Sequence, residues 1–402
     1  MLPQTPSQRL YFLDWLRIGA FALLVLYHVG MYYVSWTWHV KSPDASTALE
    51  PFMRLSSPWR LSLLFLISGA ATSFMLLRDG TSARWFGGRS KRLLVPLLVG
   101  MAVIVPPQSY FEVVQQHGYG GSYLDFMRLY YSGYGGFCKA GADCLILPTW
   151  NHLWFVAYLF VYTAALWTLL RLRPQALQTI AGVLSRALRG AAWLWLPIAV
   201  LALLRVMLID RYPPTHALWG DWYLHAIYFA AFVVGAAWAR DANAWQRCAE
   251  LRWPALGLAL AAWIAMLVLP LWLGTTPAAR VQWSWLGRVM FAAMQWSAIV
   301  AAVGFARVHL NRDHRWRATL AESVFPVYIA HQTLIILFAM VLKPLRWAPA
   351  IEGPLLAGLT LAASFGVYLA VRRVTWLRTA FGLNAAARPA RVPAAGTPVS
   401  AR

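Results

Sequence analysis

Residues 14–28 read DWLRIGAFALLVLYH, an apolar helix-forming run that carries Asp14, Arg17 and His28. Each of these side chains is costly in hydrocarbon, so their presence there marks a functional site by default. Arg17 and His28 are eleven residues apart, roughly three helical turns plus 20° at about 100° per residue. They therefore share one face and lie about 16 Å apart along the axis. An imidazole, with an unperturbed pKa of about 6.5, suits a general base or an acyl acceptor. Asp14, three residues before Arg17, is spaced to pair with it and so lower the cost of both. The bland alternative is an interfacial Asp14–Arg17 pair and a His28 that only bonds a neighbouring helix.

Other residues extend the chemistry. In RWFGGRSKRLLVPLL, Arg89 and Arg92 are three apart and reach one anion together, such as the phosphates of a nucleotide or coenzyme A. The alternative is ordinary charge beside a membrane. In WTWHVKSP, Trp38 and His39 fall just past the first apolar run, where aromatic faces suit sugar rings. Interfacial aromatic belts explain them equally well in a chain with 23 Trp. His152 and Trp154 stand in NHLWFVAY, Arg205 in a fifth apolar run, and Ser323, Tyr328, His331 and Gln332 in SVFPVYIAHQ. His28, His39, His152 and His331 come out at similar depths on separate segments, which points to a shared polar cavity. As metal ligands they are poorly supported, because no pair is spaced i,i+4 and no carboxylate accompanies them.

The elements that must hold these residues are membrane helices. The chain has 402 residues, of which 60% are hydrophobic and 12% charged, against about 25% charged in a soluble domain. Ten apolar runs are long enough to cross a bilayer: about 11–34, 61–77, 93–111, 152–170, 192–209, 222–239, 254–274, 287–306, 321–342 and 355–371. The net charge of +21 falls mostly in short clusters after every second run, as in Arg84, Arg89, Lys91 and Arg92 or Arg307, Arg312, Arg315 and Arg317. This is the positive-inside pattern, so the charge sets topology and does not imply nucleic acid. The expected fold is an all-α polytopic bundle with about ten transmembrane helices and both termini cytoplasmic. The first run lacks a small-residue cleavage site and reads as an uncleaved anchor. A single membrane domain is expected over 1–383, and 384–402, rich in Ala, Pro and Arg, as a disordered cytoplasmic tail. On this topology Cys138 and Cys144, in FCKAGADC, face an oxidising compartment as either a local disulfide or two free thiols. Cys248 reads as incidental.

Arg17 and His28 with ten residues between them, and the Arg89, Arg92 pair followed by Pro96, resemble the acyltransferase-3 family of membrane acyltransferases. The strings YFLDWLR, TWHVKS, FLISG, HLWF, RYPP and VYIAH, in that order, are most similar to members that succinylate periplasmic glucans. The resemblance implies a multi-pass protein of the bacterial inner membrane, with no permanently bound cofactor. It implies acyl-CoA, succinyl or acetyl, as the cytoplasmic donor, bound through Arg17, Arg89 and Arg92, and a periplasmic glucan or another polysaccharide as acceptor. His28 would be the general base or a transient acyl carrier. His39, Trp38, His152, Trp154, Arg205, Tyr328 and His331 would line the acceptor side. A succinyl carboxylate needs a cationic partner, for which Arg205 and Arg60 are the candidates, unless Asp210 or Asp221 pairs with them. An acetyltransferase for a different envelope polysaccharide shares every one of these features. A transporter is the rival of another class, but no internal repeat supports it.

Overall fold

The computed structural model describes residues 10–138, 144–273 and 276–384, so the loop at 139–143 and the expected tail from 385 lie outside the described residues. The described residues are predominantly helical, with no β-sheet among them. The helices are α1 (Tyr11–Tyr33), α2 (Glu50–Ser56), α3 (Arg60–Asp79), α4 (Ala83–Val99), α5 (Pro106–His117), α6 (Tyr123–Ser132), α7 (Trp154–Leu172) and α8 (Ala176–Ala187). They continue as α9 (Ala192–Leu208), α10 (Trp222–Trp238), α11 (Ala242–Glu250), α12 (Arg252–Leu273), α13 (Pro277–His309), α14 (Arg317–Leu342), α15 (Pro349–Arg373) and α16 (Thr375–Ala380). Seven stretches of the described residues are long and apolar enough to cross a membrane, and up to ten if three bent pairs each count as one span. The ten runs expected from the sequence correspond to these, so the chain is a multi-pass membrane bundle.

The third run is a bent helix. Between α4 and α5 the backbone widens over Gly100–Ile104, where the Val105 amide reaches back five residues to the Gly100 carbonyl (2.9 Å). Pro106 and Pro107 follow and have no N–H, so in this register the carbonyls of Met101 and Ala102 lack amide donors. Hydroxyls replace them: Tyr130 donates to Met101 O at 2.8 Å and Tyr131 to Ala102 O at 2.6 Å. The Thr333 hydroxyl from α14 donates to Ile104 O at 2.6 Å. The run bends by 43° as a result. Two segments between the expected apolar runs are also helical. Residues 176–187 form α8, which turns 108° from α9, and the loop after α5 contains α6. Ser122 caps α6 by accepting the Asp125 amide (3.2 Å), and Phe126, Tyr130, Phe137 and Leu147 bury a small core beneath it.

The bundle centre is set by close helix approaches. At the crossing of α3 and α10, a Cβ on Gly69 would lie 1.9 Å from the Phe232 carbonyl, and one on Gly235 would lie 1.9 Å from the Leu66 carbonyl. Only a residue without a side chain fits between facing backbones, the usual device of membrane helix packing. Gly69→Ala and Gly235→Ala are each expected to destabilise the protein by about 1–3 kcal/mol, seen as a lower melting midpoint in detergent. Gly257→Ala on α12, with open space around it, serves as the control and should leave the midpoint unchanged or raise it. Equal midpoints for all four proteins would contradict this packing.

Candidate active site

Arg17 on α1 and Arg89 and Arg92 on α4 line one cavity of about 240 Å³ between α1, α3, α4, α7 and α14. The Arg17 guanidinium donates to Ala321 O at 3.0 Å, and Arg92 Nε donates to Gly382 O at 2.9 Å. Arg17 Nε and Arg89 Nε are buried without a hydrogen-bond partner among the described residues. The Asp14–Arg17 pair expected from spacing is loose, at 4.0 Å. Asp14 instead meets Arg317 at 2.5 Å, because the start of α14 brings a second guanidinium that is itself held by Asp313 (2.7 Å). Glu322, which also lines the cavity, is engaged by Tyr368 (2.8 Å), Arg372 (3.5 Å) and Arg378 (3.6 Å). Three guanidinium groups therefore face one cavity whose carboxylate has its own cations. Such a cavity favours a polyanion, and phosphate groups match the forked donors of arginine.

The histidines form the second centre. His28 Nδ1 lies 2.8 Å from His331 Nε2, with the two rings stacked at 5.1 Å. His331 Nδ1 lies 2.6 Å from Tyr328 O, which can only accept, so His331 carries its proton on Nδ1 and offers a lone pair at Nε2. That lone pair accepts the proton on His28 Nδ1. His28 Nε2 is then left with its own lone pair, the state a general base requires. His152 completes the group, its ring 5.1 Å from that of His331. Its Nε2 donates to Ile329 O (3.1 Å) and its Nδ1 accepts from Gln108 Nε2 (3.3 Å). Gln108 also donates to Thr333 (2.7 Å) and accepts from Asn151 (3.1 Å) and Gln332 (3.0 Å), so its buried amide is fully used. The bend after α4 is what aims Gln108 at this network.

A cavity of about 130 Å³ opens beside these rings, lined by His28, His152, Tyr328, Arg60, Trp154 and His216 among others. Arg60, at the start of α3, is buried, stacks 3.2 Å over the Tyr27 ring, and leaves Nε and Nη1 without a hydrogen-bond partner among the described residues. Phe21 and Phe155 line this cavity and the arginine cavity alike. On α1 the order Arg17, Phe21, Leu24, His28 is one continuous stripe, so a single helix face runs from one centre to the other.

A loop between α9 and α10 closes the histidine cavity. His216 and Leu218 have left-handed backbones (φ 58° and 68°), a conformation costing about 1–3 kcal/mol each for residues with a side chain. Asp221, fully buried, offsets that cost. Its carboxylate accepts from the amides of His216 (2.9 Å) and Thr215 (3.4 Å) and from the Tyr158 hydroxyl (2.5 Å). The Leu218 amide donates to Tyr158 (3.1 Å), and His225 Nε2 donates to Leu218 O (2.7 Å). Burial lowers the His216 pKa from its ordinary value, with Asp221 working against that shift, so the ring is neutral at neutral pH.

Not every expected residue joins these centres. His39 does not line the histidine cavity but bonds Glu112 at 2.5 Å, so a carboxylate does accompany one of the four histidines. Trp38 lines a separate cleft with Lys41 and Gln116. Arg205 is on neither cavity wall: it lies 3.8 Å from the Phe291 ring and donates to Gln295 (3.2 Å). It pairs with neither Asp210, which Arg288 takes at 2.6 Å, nor Asp221. Cys138 and Cys144 are joined in a disulfide, and Cys248 is a buried free thiol. No metal-binding group of His, Cys, Asp or Glu occurs among the described residues. Sequence reasoning missed His216, Gln108, Phe21, Phe155 and Glu322. Phe21 alone had a usable signal, four residues after Arg17 on the same face.

Comparison with known proteins identifies the family. The family model for an acyltransferase domain, of the acyltransferase-3 type, matches residues 10–369. The chain is 31% identical over 169 residues to glucans biosynthesis protein C of Escherichia coli (strain SMS-3-5 / SECEC). It is 30% identical over the same length to the proteins of that name from Escherichia coli (strain K12) and Shigella dysenteriae serotype 1 (strain Sd197). In each case the match covers 42% of this chain and 41% of the relative, so the chain spans about two fifths of the length of the curated relatives it matches. No solved structure matches it significantly. With the family match running over nearly the whole chain, the chain belongs to the acyltransferase-3 family of membrane acyltransferases.

Proposed function

We propose that this protein is a bacterial inner-membrane O-acyltransferase that moves a succinyl group from cytoplasmic succinyl-CoA to hydroxyls of a periplasmic glucan. The observation that carries the reading is the stripe on α1, with an anion-binding cavity at Arg17 and a base-competent His28 three turns away. The basic clusters, by the positive-inside rule, support an arginine end inside and a histidine end outside. Coenzyme A phosphates sit among Arg17, Arg89 and Arg92, and the pantetheine arm passes Phe21 and Phe155 to bring the thioester beside His28. His28 Nε2 takes the proton of the attacking sugar hydroxyl as its oxygen bonds the thioester carbon. The C–S bond breaks, and the leaving thiolate receives that proton from His28. His331 accepts the Nδ1 hydrogen throughout and so steadies the imidazolium. One transfer step suffices, with no acyl-histidine.

Arg60 favours succinyl over acetyl. Its unpartnered nitrogens on the wall of the histidine cavity match a carboxylate on the acyl group, which an acetyl group lacks. The test uses protein reconstituted in vesicles with donor on one side and glucan on the other. Wild type is expected to transfer succinyl in preference to acetyl, and Arg60→Met to lose succinyl transfer by about 10–100-fold while keeping or gaining acetyl transfer. Equal use of both donors by wild type would assign Arg60 a structural role. An acetyl preference in wild type would favour the acetyltransferase reading.

A further inference from the structure

His216 has no role in the transfer chemistry above, yet the loop that carries it is tightly specified. Its amide is bound by Asp221 and its carbonyl accepts from Trp150 Nε1 (3.0 Å), so its main chain is fully used. Its ring nitrogens make no hydrogen bond among the described residues, and the ring lies 4.3 Å from that of Trp154, on the wall of the cavity that holds His28. A largely exposed loop, anchored by the buried Asp221, that fixes two left-handed residues and leaves one imidazole without a hydrogen bond on the wall of a reaction cavity is arranged to present that imidazole. We infer that His216 binds the acceptor: its ring hydrogen-bonds a sugar hydroxyl adjacent to the one acylated, with the Trp154 indole against the sugar face. A neutral imidazole offers one N–H and one lone pair, matching a hydroxyl that both accepts and donates. Adjacent sugar hydroxyls would thereby be divided between two histidines, His216 to hold one and His28 to deprotonate the other. His216 then sets both acceptor affinity and the position acylated.

The inference rests on the proposed acyl transfer to a glycan, and the test separates the two. Reconstituted protein is assayed with succinyl-CoA and periplasmic glucan purified from cells lacking the protein. His216→Asn and His216→Gly both tolerate the left-handed backbone, so the loop is kept while the ring is lost. Both variants are expected to raise the glucan KM about five- to tenfold and to spread succinyl groups over more hydroxyl positions, read by NMR of the product. The succinyl-CoA KM and the kcat at saturating glucan should change less than about twofold. An unchanged glucan KM and unchanged product positions in an active variant would overturn the inference. A fall in kcat alone would also overturn it, as the mark of a structural or catalytic role. No transfer by wild type would instead defeat the acyl-transfer proposal, and this inference with it.

Discussion

His28→Ala is expected to lower the rate of acyl transfer by about 10²–10⁴-fold at unchanged amounts of membrane protein, measured with saturating donor and acceptor. The size follows from the tautomer assignment. His331 gives its only proton to Tyr328 O, which forces the His28 proton onto Nδ1 and frees Nε2 for the substrate. Alanine removes that lone pair, and among the histidines lining the cavity none replaces it. His152 spends both nitrogens on Ile329 O and Gln108, and His216 is assigned to the neighbouring sugar hydroxyl. Donor binding should survive, because the arginine cavity is about 16 Å away along α1. His331→Ala should cost less, about 10–100-fold, since it removes the partner that orients the base but not the base. A His28→Ala protein with full activity would make His28 a structural hydrogen-bonder.

Arg89→Ala is expected to raise the KM for acyl-CoA by about 10–100-fold with little change in kcat at saturating donor. The same substitution should raise the melting midpoint of the protein without ligand. Its Nε is buried and unpartnered, beside Arg17 and Arg92, so in the empty cavity the group is an uncompensated cation that binding, not folding, satisfies. Arg89→Lys keeps the charge but loses the forked donors, and should recover only part of the affinity. The two opposite signs matter, since a residue kept for stability would move both quantities in the unfavourable direction. A lower midpoint together with an unchanged donor KM would place the phosphates elsewhere.

The sequence carried the bundle well, because ten long apolar runs leave little freedom in which segments become membrane helices. It carried the Arg17–His28 stripe for the same reason: helical periodicity over eleven residues is fixed by geometry. What it could not carry were features decided by contacts between distant segments. Asp14 and Arg17 looked like partners at i,i+3, but Arg317, three hundred residues away, takes Asp14. Four histidines looked equivalent by depth, and Glu112 removed His39 from the group. Arg60 and Arg205 were indistinguishable as buried cations until the packing put one on the cavity wall and the other against Phe291. The bend at Gly100–Ile104 depends on two tyrosines from α6, a helix that falls between the expected apolar runs. His216 was hidden because its significance comes from a left-handed backbone that one buried carboxylate, Asp221, maintains.

The most direct measurement is mass spectrometry of periplasmic glucans from cells lacking this protein, complemented with wild type or with His28→Ala at matched membrane levels. Wild type should restore glucan species heavier by one or more succinyl groups, and His28→Ala should leave the glucans unmodified. Glucan masses that do not respond to the wild-type protein would contradict the assignment of acceptor. Full modification by His28→Ala would contradict the mechanism.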